Sequence, residues 1–332
     1  MGLSDTGESG LIGQIRSRLS SEDERVLLGI GDDTAIIRTR PGWDALLTTD
    51  SMVEQIHFDL AYTPLDALGW KIMVINLSDI AAMGGTPVCA VISLAIPGTW
   101  SIEMIDRLYQ GVQEAGRTYV CPVAGGDTVR VPRDSMITVT VLGEVESGRA
   151  IRRSGACPGD CLCVTGPLGK ARTGLEALAA GNNNPAYSAA RKHFLKPVPH
   201  LDVSRQLVQY GGVTSMVDIS DGLSMEIHHL CEESGTGCRV DSEQIPVAAE
   251  ARNWCAERNR PLIPHVMESG EEYELLFTMR PEAFNRLQKN ACNGVSPIWK
   301  IGEICDPSEG ICLVGDDGVF SLDKKGWDHF QA

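Results

Sequence analysis

The sequence predicts an α/β (α+β) fold in two domains. The chain has 332 residues, which is more than a single hydrophobic core usually organises. Segments with strand and helix periodicity alternate, and the pattern restarts after residues 147–160, which are rich in Gly, Ser and Arg. We therefore expect an N-terminal domain at residues 1–148 and a C-terminal domain at residues 149–332.

The N-terminal half is predicted to contain four strands and two helices. Residues 67–83 are apolar at helical spacing, and the glycines and proline that follow at 84–87 end a helix. Residues 102–118 form the second, amphipathic helix. Apolar and β-branched runs predict four strands, at 44–49, 88–96, 119–124 and 135–145. The first of these strands runs into Asp50, and the third is followed by Gly125, Gly126 and Asp127.

The C-terminal half repeats this alternation with shorter elements. Apolar residues spaced by three or four predict helices at 171–180, 202–210 and 223–233. Short apolar runs predict strands at 161–165, 213–217, 273–278, 298–304 and 311–314. The same α/β class is therefore expected for both halves.

Composition restricts the partners and the compartment. The net charge is −15, from 29 Lys and Arg against 44 Asp and Glu, so the surface repels nucleic acid and anionic membranes. The eleven cysteines include no C-x-x-C pair, and residues 1–20 lack the apolar run of a signal peptide. No stretch is long and apolar enough to span a bilayer. We expect a soluble, cytoplasmic protein with reduced thiols and with no nucleic-acid or membrane partner.

Aspartates recur where a predicted element ends or where apolar neighbours imply burial. Asp79 is the most informative, because a carboxylate inside an apolar helix costs several kcal/mol, on the order of the buried-ion penalty, unless something compensates it. No Arg or Lys lies within these motifs, whereas carboxylate and hydroxyl oxygens suit magnesium. The five segments are residues 31–33, 48–51, 76–79, 125–128 and 218–222.

Each aspartate also has an ordinary structural interpretation. Asp or Ser before a helix is commonly an N-cap, which would explain Asp218, Ser220 or Asp221, and Gly-Asp-Asp is often only a turn. Five such segments in one chain are explained less easily by turns and caps than by bound cations. The usual nucleotide motifs and catalytic triads are absent. His228 and His229 are expected to pack or to face solvent rather than to bind metal.

Eight segments occur together in the order found in one enzyme family. They are GIGDDTAI (29–36), TTDSMVEQIHF (48–58), VINLSDIAAMGG (74–85), GGDT (125–128), RRSGACPGD (152–160), DISDGL (218–223), SGEEYELLFT (269–278) and GWDHF (326–330). With these residues the chain resembles thiamine-monophosphate kinase, within the aminoimidazole ribonucleotide synthetase-like superfamily. The run from Asn76 to Gly84, the G-E-E-Y-E-L segment and the terminal G-W-D-H-F select the thiamine branch.

The resemblance implies a kinase that uses ATP to phosphorylate thiamine monophosphate to thiamine diphosphate, the last step of thiamine diphosphate biosynthesis. It implies a homodimer formed through the N-terminal sheet, a C-terminal α/β domain that covers it, and ATP with several magnesium ions between the domains. Carried over by position, the metal ligands would be Asp33, Thr48, Thr49, Asp50, Asp79, Asp127, Asp218 and Asp221. Gly126, Asp127, Arg153 and Ser220 would contact ATP, and His57, Glu271 and Trp327 would hold the thiamine moiety.

Two residues depart from the family pattern. Glu272 stands where many relatives have Asp, and Trp327 stands where Tyr is common. A tryptophan ring still offers a flat face for stacking on a heteroaromatic substrate. A C-terminal hydrophobic anchor is the alternative explanation of Trp327.

The predicted reaction needs no general base, because the acceptor phosphate is already ionised near neutral pH. Magnesium on the aspartates would screen the repulsion between two polyanions, and Asp127 and Arg153 would act electrostatically. Another ATP-using enzyme of the same superfamily is one alternative, and a non-catalytic nucleotide-binding protein is another. A calcium-stabilised structural protein is the weakest, since the dispersed aspartates form no EF-hand loop.

Overall fold

Two β-sheets organise the chain, one in each half. The computed structural model describes residues 26–28, 32–289, 297–316 and 318–330. The polar segment 1–20 and residues 29–31 of the first aspartate motif lie outside the described residues. Both sheets carry helices, which confirms the predicted α/β class.

The N-terminal sheet has the strand order β1-β2-β3-β6-β4-β5. Neighbouring strands are antiparallel except β4 and β5, which are parallel. Its strands are β1 (Val26–Leu28), β2 (Ala35–Arg40), β3 (Trp43–Val53), β4 (Thr86–Pro97), β5 (Val123–Val131) and β6 (Met136–Glu146). Alternate residues of β6 are buried, with Ile137, Val139 and Val141 facing the core, because strand side chains alternate between the two faces.

Helices α1 (Leu65–Ala82) and α2 (Ile102–Thr118) belong to the N-terminal half. Helix α1 packs against β3 and β6 on one side and against elements of the C-terminal half on the other, so nearly all of its residues are buried. A helix buried on all sides is expected to be mostly apolar. It contacts α2 closely at Gly69 and Gly111, where a β-carbon would collide with the backbone of the facing helix.

The C-terminal sheet has the order β13-β12-β9-β11-β7-β10-β8, and only β9 and β12 pair in parallel. Its strands are β7 (Cys161–Val164), β8 (Val213–Asp218), β9 (Gly237–Asp241), β10 (Leu275–Met279), β11 (Trp299–Cys305), β12 (Ile311–Gly315) and β13 (Gly318–Ser321). The helices of this half are α3 (Lys170–Ala179), α4 (Ser188–Leu195), α5 (Leu201–Tyr210), α6 (Leu223–Ser234), α7 (Ala249–Glu257), α8 (Leu262–Met267) and α9 (Pro281–Lys289). One continuous apolar core includes Ile72 of α1, Met216 of β8 and Phe277 of β10, and so connects the two halves.

One predicted strand is wrong. Residues 119–122 are not a strand, and β5 begins at Val123. Gly125, Gly126 and Asp127 were predicted to follow the end of a strand, but they lie inside β5. Asp50 likewise lies within β3 instead of at its end. The boundary at residue 148 stays a prediction. Among the described residues, no helix combines the length and apolarity needed to cross a membrane.

Candidate active site

A cavity of about 600 Å³ opens between the two halves of the chain. Helix α1 contributes Asp79 to its wall, and the loop between β8 and α6 contributes Ser220 and Asp221. Glu271 enters from the loop before β10, and Trp327 from the segment after β13. The cavity thus collects residues that are up to 279 positions apart in the sequence (Asp50 and His329).

Three aspartates converge beside this cavity and are called the carboxylate cluster here: Asp33, Asp79 and Asp218. One carboxylate oxygen of each lies within 4.8 Å of the other two. The Thr48 hydroxyl donates a hydrogen bond to Asp79, and Ser78 Oγ donates to Asp218 Oδ2 at 2.5 Å. The loop before β2, helix α1 and the end of β8 therefore place three anionic groups at one point.

The carboxylate cluster is electrostatically strained when no cation is bound. Burial raises the pKa of Asp79 well above its ordinary value, and the charges of Asp50, Asp218 and Asp33 raise it further. Burial, followed by the Asp33 charge, does the same to the pKa of Asp218. Burial raises the pKa of Asp50 to about 6, although its hydrogen bond with Asp79 opposes the shift. Protons or cations must therefore balance this group.

Arg153 supplies part of the compensation. Its guanidinium Nη2 lies 2.6 Å from Asp33 Oδ1, and its backbone N–H donates to Asp32 Oδ2 at 3.1 Å. Burial raises the pKa of Asp33, and the Arg153 charge opposes that shift. One guanidinium group cannot balance three clustered carboxylates, so protons or further cations must supply the rest.

The donor set fits magnesium. Asp33 Oδ2 is buried without a hydrogen-bond partner among the described residues, which is costly for a carboxylate oxygen unless a ligand uses it. Carboxylate and hydroxyl oxygens are the donors that magnesium prefers, and the cluster offers no sulfur or imidazole donor.

Glu226 on α6 holds the loop that carries Ser220 and Asp221. Its carboxylate is 1% exposed and accepts hydrogen bonds from the Asp221 N–H at 3.2 Å and the Ser220 hydroxyl at 3.5 Å. His229 Nδ1 lies 2.9 Å from its other oxygen. Burial opposes the charge, but the hydrogen bond from His229 and the Arg153 charge lower the pKa of Glu226. His228 donates to the Leu322 carbonyl at 2.9 Å, so both histidines take structural roles.

Three rings, His57, Trp327 and His329, form an aromatic wall of the cavity. The Val53 N–H donates to His57 Nδ1 at 3.0 Å, so neutral His57 carries its proton on Nε2, 3.4 Å from His329 Nε2. Trp327 Nε1 donates to the same His329 nitrogen at 3.4 Å. Burial, with the charge of His329, lowers the pKa of His57 to about 4, so His57 is neutral at pH 7. The rings of Trp327 and neutral His57 suit stacking on a cationic heteroaromatic ligand.

Glu271 lies in the cavity wall and is paired with a buried lysine. Lys71 Nζ of α1 lies 2.7 Å from Glu271 Oε1 and 3.6 Å from the centroid of the Phe194 ring. The Lys71 side chain is 2% exposed and that of Glu271 is 30% exposed. The carboxylate therefore reaches the cavity while its counter-ion stays inside the protein.

Most of the predicted site residues meet at this cavity, and three do not. The structure brings together Asp33, Thr48, Asp50, Asp79, Arg153, Asp218, Ser220, Asp221, His57, Glu271 and Trp327. Thr49, Gly126 and Asp127 are exposed. Thr49 and Asp127 lie on the sheet face that α1 does not cover, and β6 and β4 separate Asp127 from β3. The roles of these three, like the roles of the residues that do meet at the cavity, stay predictions.

Gly126 has a packing reason of its own. A β-carbon there would lie 2.0 Å from the Ile92 carbonyl oxygen of β4, so no other residue fits without moving a backbone.

The sequence argument missed three residues of the site: Lys71, Glu226 and His329. Lys71 carried the same signal as Asp79, namely a charge inside an apolar helix. His329 stood in the quoted G-W-D-H-F segment. Glu226 had no signal of its own, because its partners are set by the turn before α6.

Comparison with known proteins gives consistent matches. Residues 31–145 match the family described as AIR synthase related protein, N-terminal domain, and residues 157–314 match AIR synthase related protein, C-terminal domain. The chain is 33% identical to a thiamine-monophosphate kinase of Bacillus subtilis, over 92% of this chain and 94% of the relative. It is 34% identical to one of Aquifex aeolicus, over 99% and 100%.

Solved structures agree. The structure of AaThiL complexed with AMPPCP and TMP superposes with a TM-score of 0.87 at 34% identity, covering 99% of both chains. The hydrogenase maturation protein HypE in complex with ATP gives a TM-score of 0.73 at 19% identity over 99% of both chains, a likeness of fold alone.

Proposed function

The chain belongs to the thiamine-monophosphate kinase family, and on that premise we propose that it transfers the terminal phosphoryl group of ATP to thiamine monophosphate. The products would be thiamine diphosphate and ADP, in the last step of thiamine diphosphate biosynthesis. The observation that carries the proposal is one cavity that joins the carboxylate cluster to an aromatic wall. The first suits metal-bound phosphates and the second suits a cationic heteroaromatic ring.

Several magnesium ions are proposed as the cofactor. When bound, magnesium would screen the charge of the two phosphate groups and stabilise the charge of the transition state. Asp33, Asp79 and Asp218 would hold it, with Asp50 and the Thr48 hydroxyl beside them. Thr49, Asp127 and Asp221 are proposed as further ligands on the family resemblance.

The chain's own residues would bind and orient the substrates. Arg153 is fixed beside the carboxylate cluster through Asp33 and is proposed to contact the ATP phosphates, together with Gly126, Asp127 and Ser220. His57 and Trp327 would stack on the thiamine rings, and Glu271 would accept a hydrogen bond from the thiamine moiety. The acceptor phosphate is ionised near pH 7, so none of these residues has to remove a proton.

We propose a homodimer that forms through the uncovered face of the N-terminal sheet. This face exposes apolar side chains on adjacent strands, and exposed apolar patches of this kind mark interaction sites. The exposed residues are Leu47, Val91, Val129, Met136 and Leu142. In sedimentation, Val91→Glu is expected to give a monomer where the wild type gives a dimer. Val319→Glu, a matched change on the exposed strand β13, should leave the dimer intact.

Product analysis tests the proposed reaction. The purified protein is mixed with ATP, magnesium and thiamine monophosphate, with free thiamine as a parallel substrate. Thiamine diphosphate and ADP formed only from the monophosphate are the expected result. A folded protein that binds magnesium-ATP without consuming it would be a nucleotide-binding protein. ATP consumption with a different acceptor alone would place it elsewhere in the superfamily.

A further inference from the structure

Lys71 is a buried cation next to the cavity. Magnesium binding at the carboxylate cluster does not explain why a lysine is buried there. Its side chain is 2% exposed, and burial lowers the pKa of its ammonium group, an effect that the Glu271 charge opposes. Burying an ammonium group is costly even when a counter-ion is present. A lysine at this depth therefore points to a role for the pair that it forms.

The backbone of Glu271 is fixed from both sides. Its N–H donates to the Ser220 carbonyl at 2.6 Å, and the Tyr273 N–H donates to the Ile219 carbonyl at 2.9 Å. Glu271 and Tyr273 have φ values of 59° and 53°, a left-handed conformation that non-glycine residues adopt only when their surroundings impose it.

Glu272, between them, points away from the cavity and anchors this loop to α3. Its Oε1 accepts hydrogen bonds from the Gly169 N–H at 2.9 Å, the Ala171 N–H at 3.0 Å and the Ser269 hydroxyl at 2.5 Å. With the backbone held in this way, the remaining freedom of Glu271 is that of its side chain, and the contact with Lys71 removes it.

We propose that Lys71 is a positioning residue that fixes the Glu271 carboxylate as the hydrogen-bond acceptor for the exocyclic amino group of an aminopyrimidine ring. The inference rests on the proposed function and adds to it the recognised group. The ion pair uses Oε1 and leaves Oε2 for a ligand. A carboxylate only accepts hydrogen bonds, so it selects an amino group over a carbonyl at the same ring position.

The surroundings of Glu271 explain why the lysine is needed. The Glu271 side chain is 30% exposed, and Lys71 Nζ, 2.7 Å from Oε1, is the charged group that holds it against the protein. Without Lys71 this ion pair is lost, and the partly exposed Glu271 side chain would turn towards water. Ordering a glutamate side chain again on substrate binding would weaken binding about tenfold.

Steady-state kinetics test the proposal with two substrates, thiamine monophosphate and its 4-oxo analogue, in which a carbonyl replaces the amino group. In Lys71→Met the KM for thiamine monophosphate should rise about tenfold, while kcat and the KM for ATP stay within about twofold. The preference for the amino substrate over the oxo analogue should fall. In a Glu271→Gln background, Lys71→Met should have no further effect on the KM for thiamine monophosphate or on the preference for the amino substrate.

Matched variants separate this from a structural role. Lys196→Met removes a lysine that pairs with Glu114 at the surface and should change neither KM nor the preference. If Lys71→Met does not fold, Glu271→Asp keeps the charge but withdraws the carboxylate, and the same loss of preference is expected. The role of Lys71 is overturned if a folded Lys71→Met or Glu271→Asp variant keeps the wild-type preference for the amino substrate over the oxo analogue. It is also overturned if the KM for thiamine monophosphate and the KM for ATP rise equally. A wild type that does not phosphorylate thiamine monophosphate overturns the proposed function and the inference with it.

Discussion

Asp218→Asn is expected to stabilise the metal-free protein, although it changes a side chain that is only 2% exposed. The asparagine oxygen can still accept the Ser78 hydroxyl hydrogen bond that Asp218 accepts at 2.5 Å. What the variant removes is one of the three negative charges of the carboxylate cluster. The same change should abolish stabilisation by magnesium, because a ligand is lost with the charge.

The magnitude follows from the spacing of the oxygens. Two unit charges 4.8 Å apart repel by about 3.5 kcal/mol at an effective dielectric constant of about 20. Arg153 offsets part of this repulsion through Asp33, and partial protonation relieves more. We therefore expect a gain of about 2–4 kcal/mol in the free energy of unfolding, or roughly 3–6 °C in Tm for a chain of this size.

The gain should depend on pH in a defined direction. The folded-state pKa values of Asp50, Asp79 and Asp218 are raised, that of Asp50 to about 6. Above the unfolded pKa near 4, the folded state holds protons that the unfolded state has released, so the stability of the metal-free protein falls as pH rises. The advantage of Asp218→Asn should therefore be larger at pH 7 than at pH 5.

Calorimetry in EDTA and in excess magnesium measures both effects. Asp160→Asn is the matched control, since Asp160 is also buried but accepts hydrogen bonds from the Cys157 N–H and the Thr214 hydroxyl outside the cluster. It should lower Tm equally in both buffers. If Asp218→Asn lowers Tm in EDTA as Asp160→Asn does, or keeps the full magnesium response, the cluster is not a strained cation site.

The remaining predictions concern single side chains. Glu271→Gln should lower the free energy of unfolding by about 3 kcal/mol, because it leaves the Lys71 ammonium group buried without its counter-ion. Lys71→Met should lower it by less, because the carboxylate that remains is 30% exposed. Equal losses of stability in urea unfolding would contradict this difference. Trp327→Ala should raise the KM for thiamine monophosphate about tenfold through lost stacking, and an effect confined to ATP kinetics would argue for a plain hydrophobic anchor. Asp127→Asn should abolish turnover with little change in the circular dichroism spectrum or Tm, since Asp127 is exposed, and normal activity would remove it from the metal set.

The long periodic elements were predictable, and so were several short apolar strands such as β7, β8 and β12, whereas short elements without an apolar run were not. The helix predicted at 67–83 is α1 at Leu65–Ala82, and the one predicted at 102–118 is α2 with the same bounds. Strand β9 was missed, because five residues with a single strong β-former show no periodicity, and β9 exists through pairing with β11 and β12. Strand β5 was misplaced, because Gly125 and Gly126 suggested a turn although Gly126 is set by contact with β4.

The site was predictable as a set of residues but not as a geometry. A carboxylate in an apolar helix marked Asp79 from the sequence alone. That Ser78 donates to Asp218, 140 positions away, depends on how β8 packs against α1, and no local pattern encodes that distance. Lys71 was missed for a different reason: the burial argument was applied to anions and not to the one cation in the same helix.

Helix α1 explains why the charges of the site are where they are. Lys71, Ile75 and Asp79 are spaced by four residues, which brings them to one side of the helix, and Ile75 and Asp79 both line the cavity. At 1.5 Å per residue, the eight residues from Lys71 to Asp79 separate the cation beneath Glu271 from the carboxylate cluster by about 12 Å along the axis. Because nearly all of α1 is buried in close packing, the helix holds this separation rigidly. One inserted residue between them would turn Asp79 by about 100° away from Asp33 and Asp218, so the spacing itself is a requirement of the site.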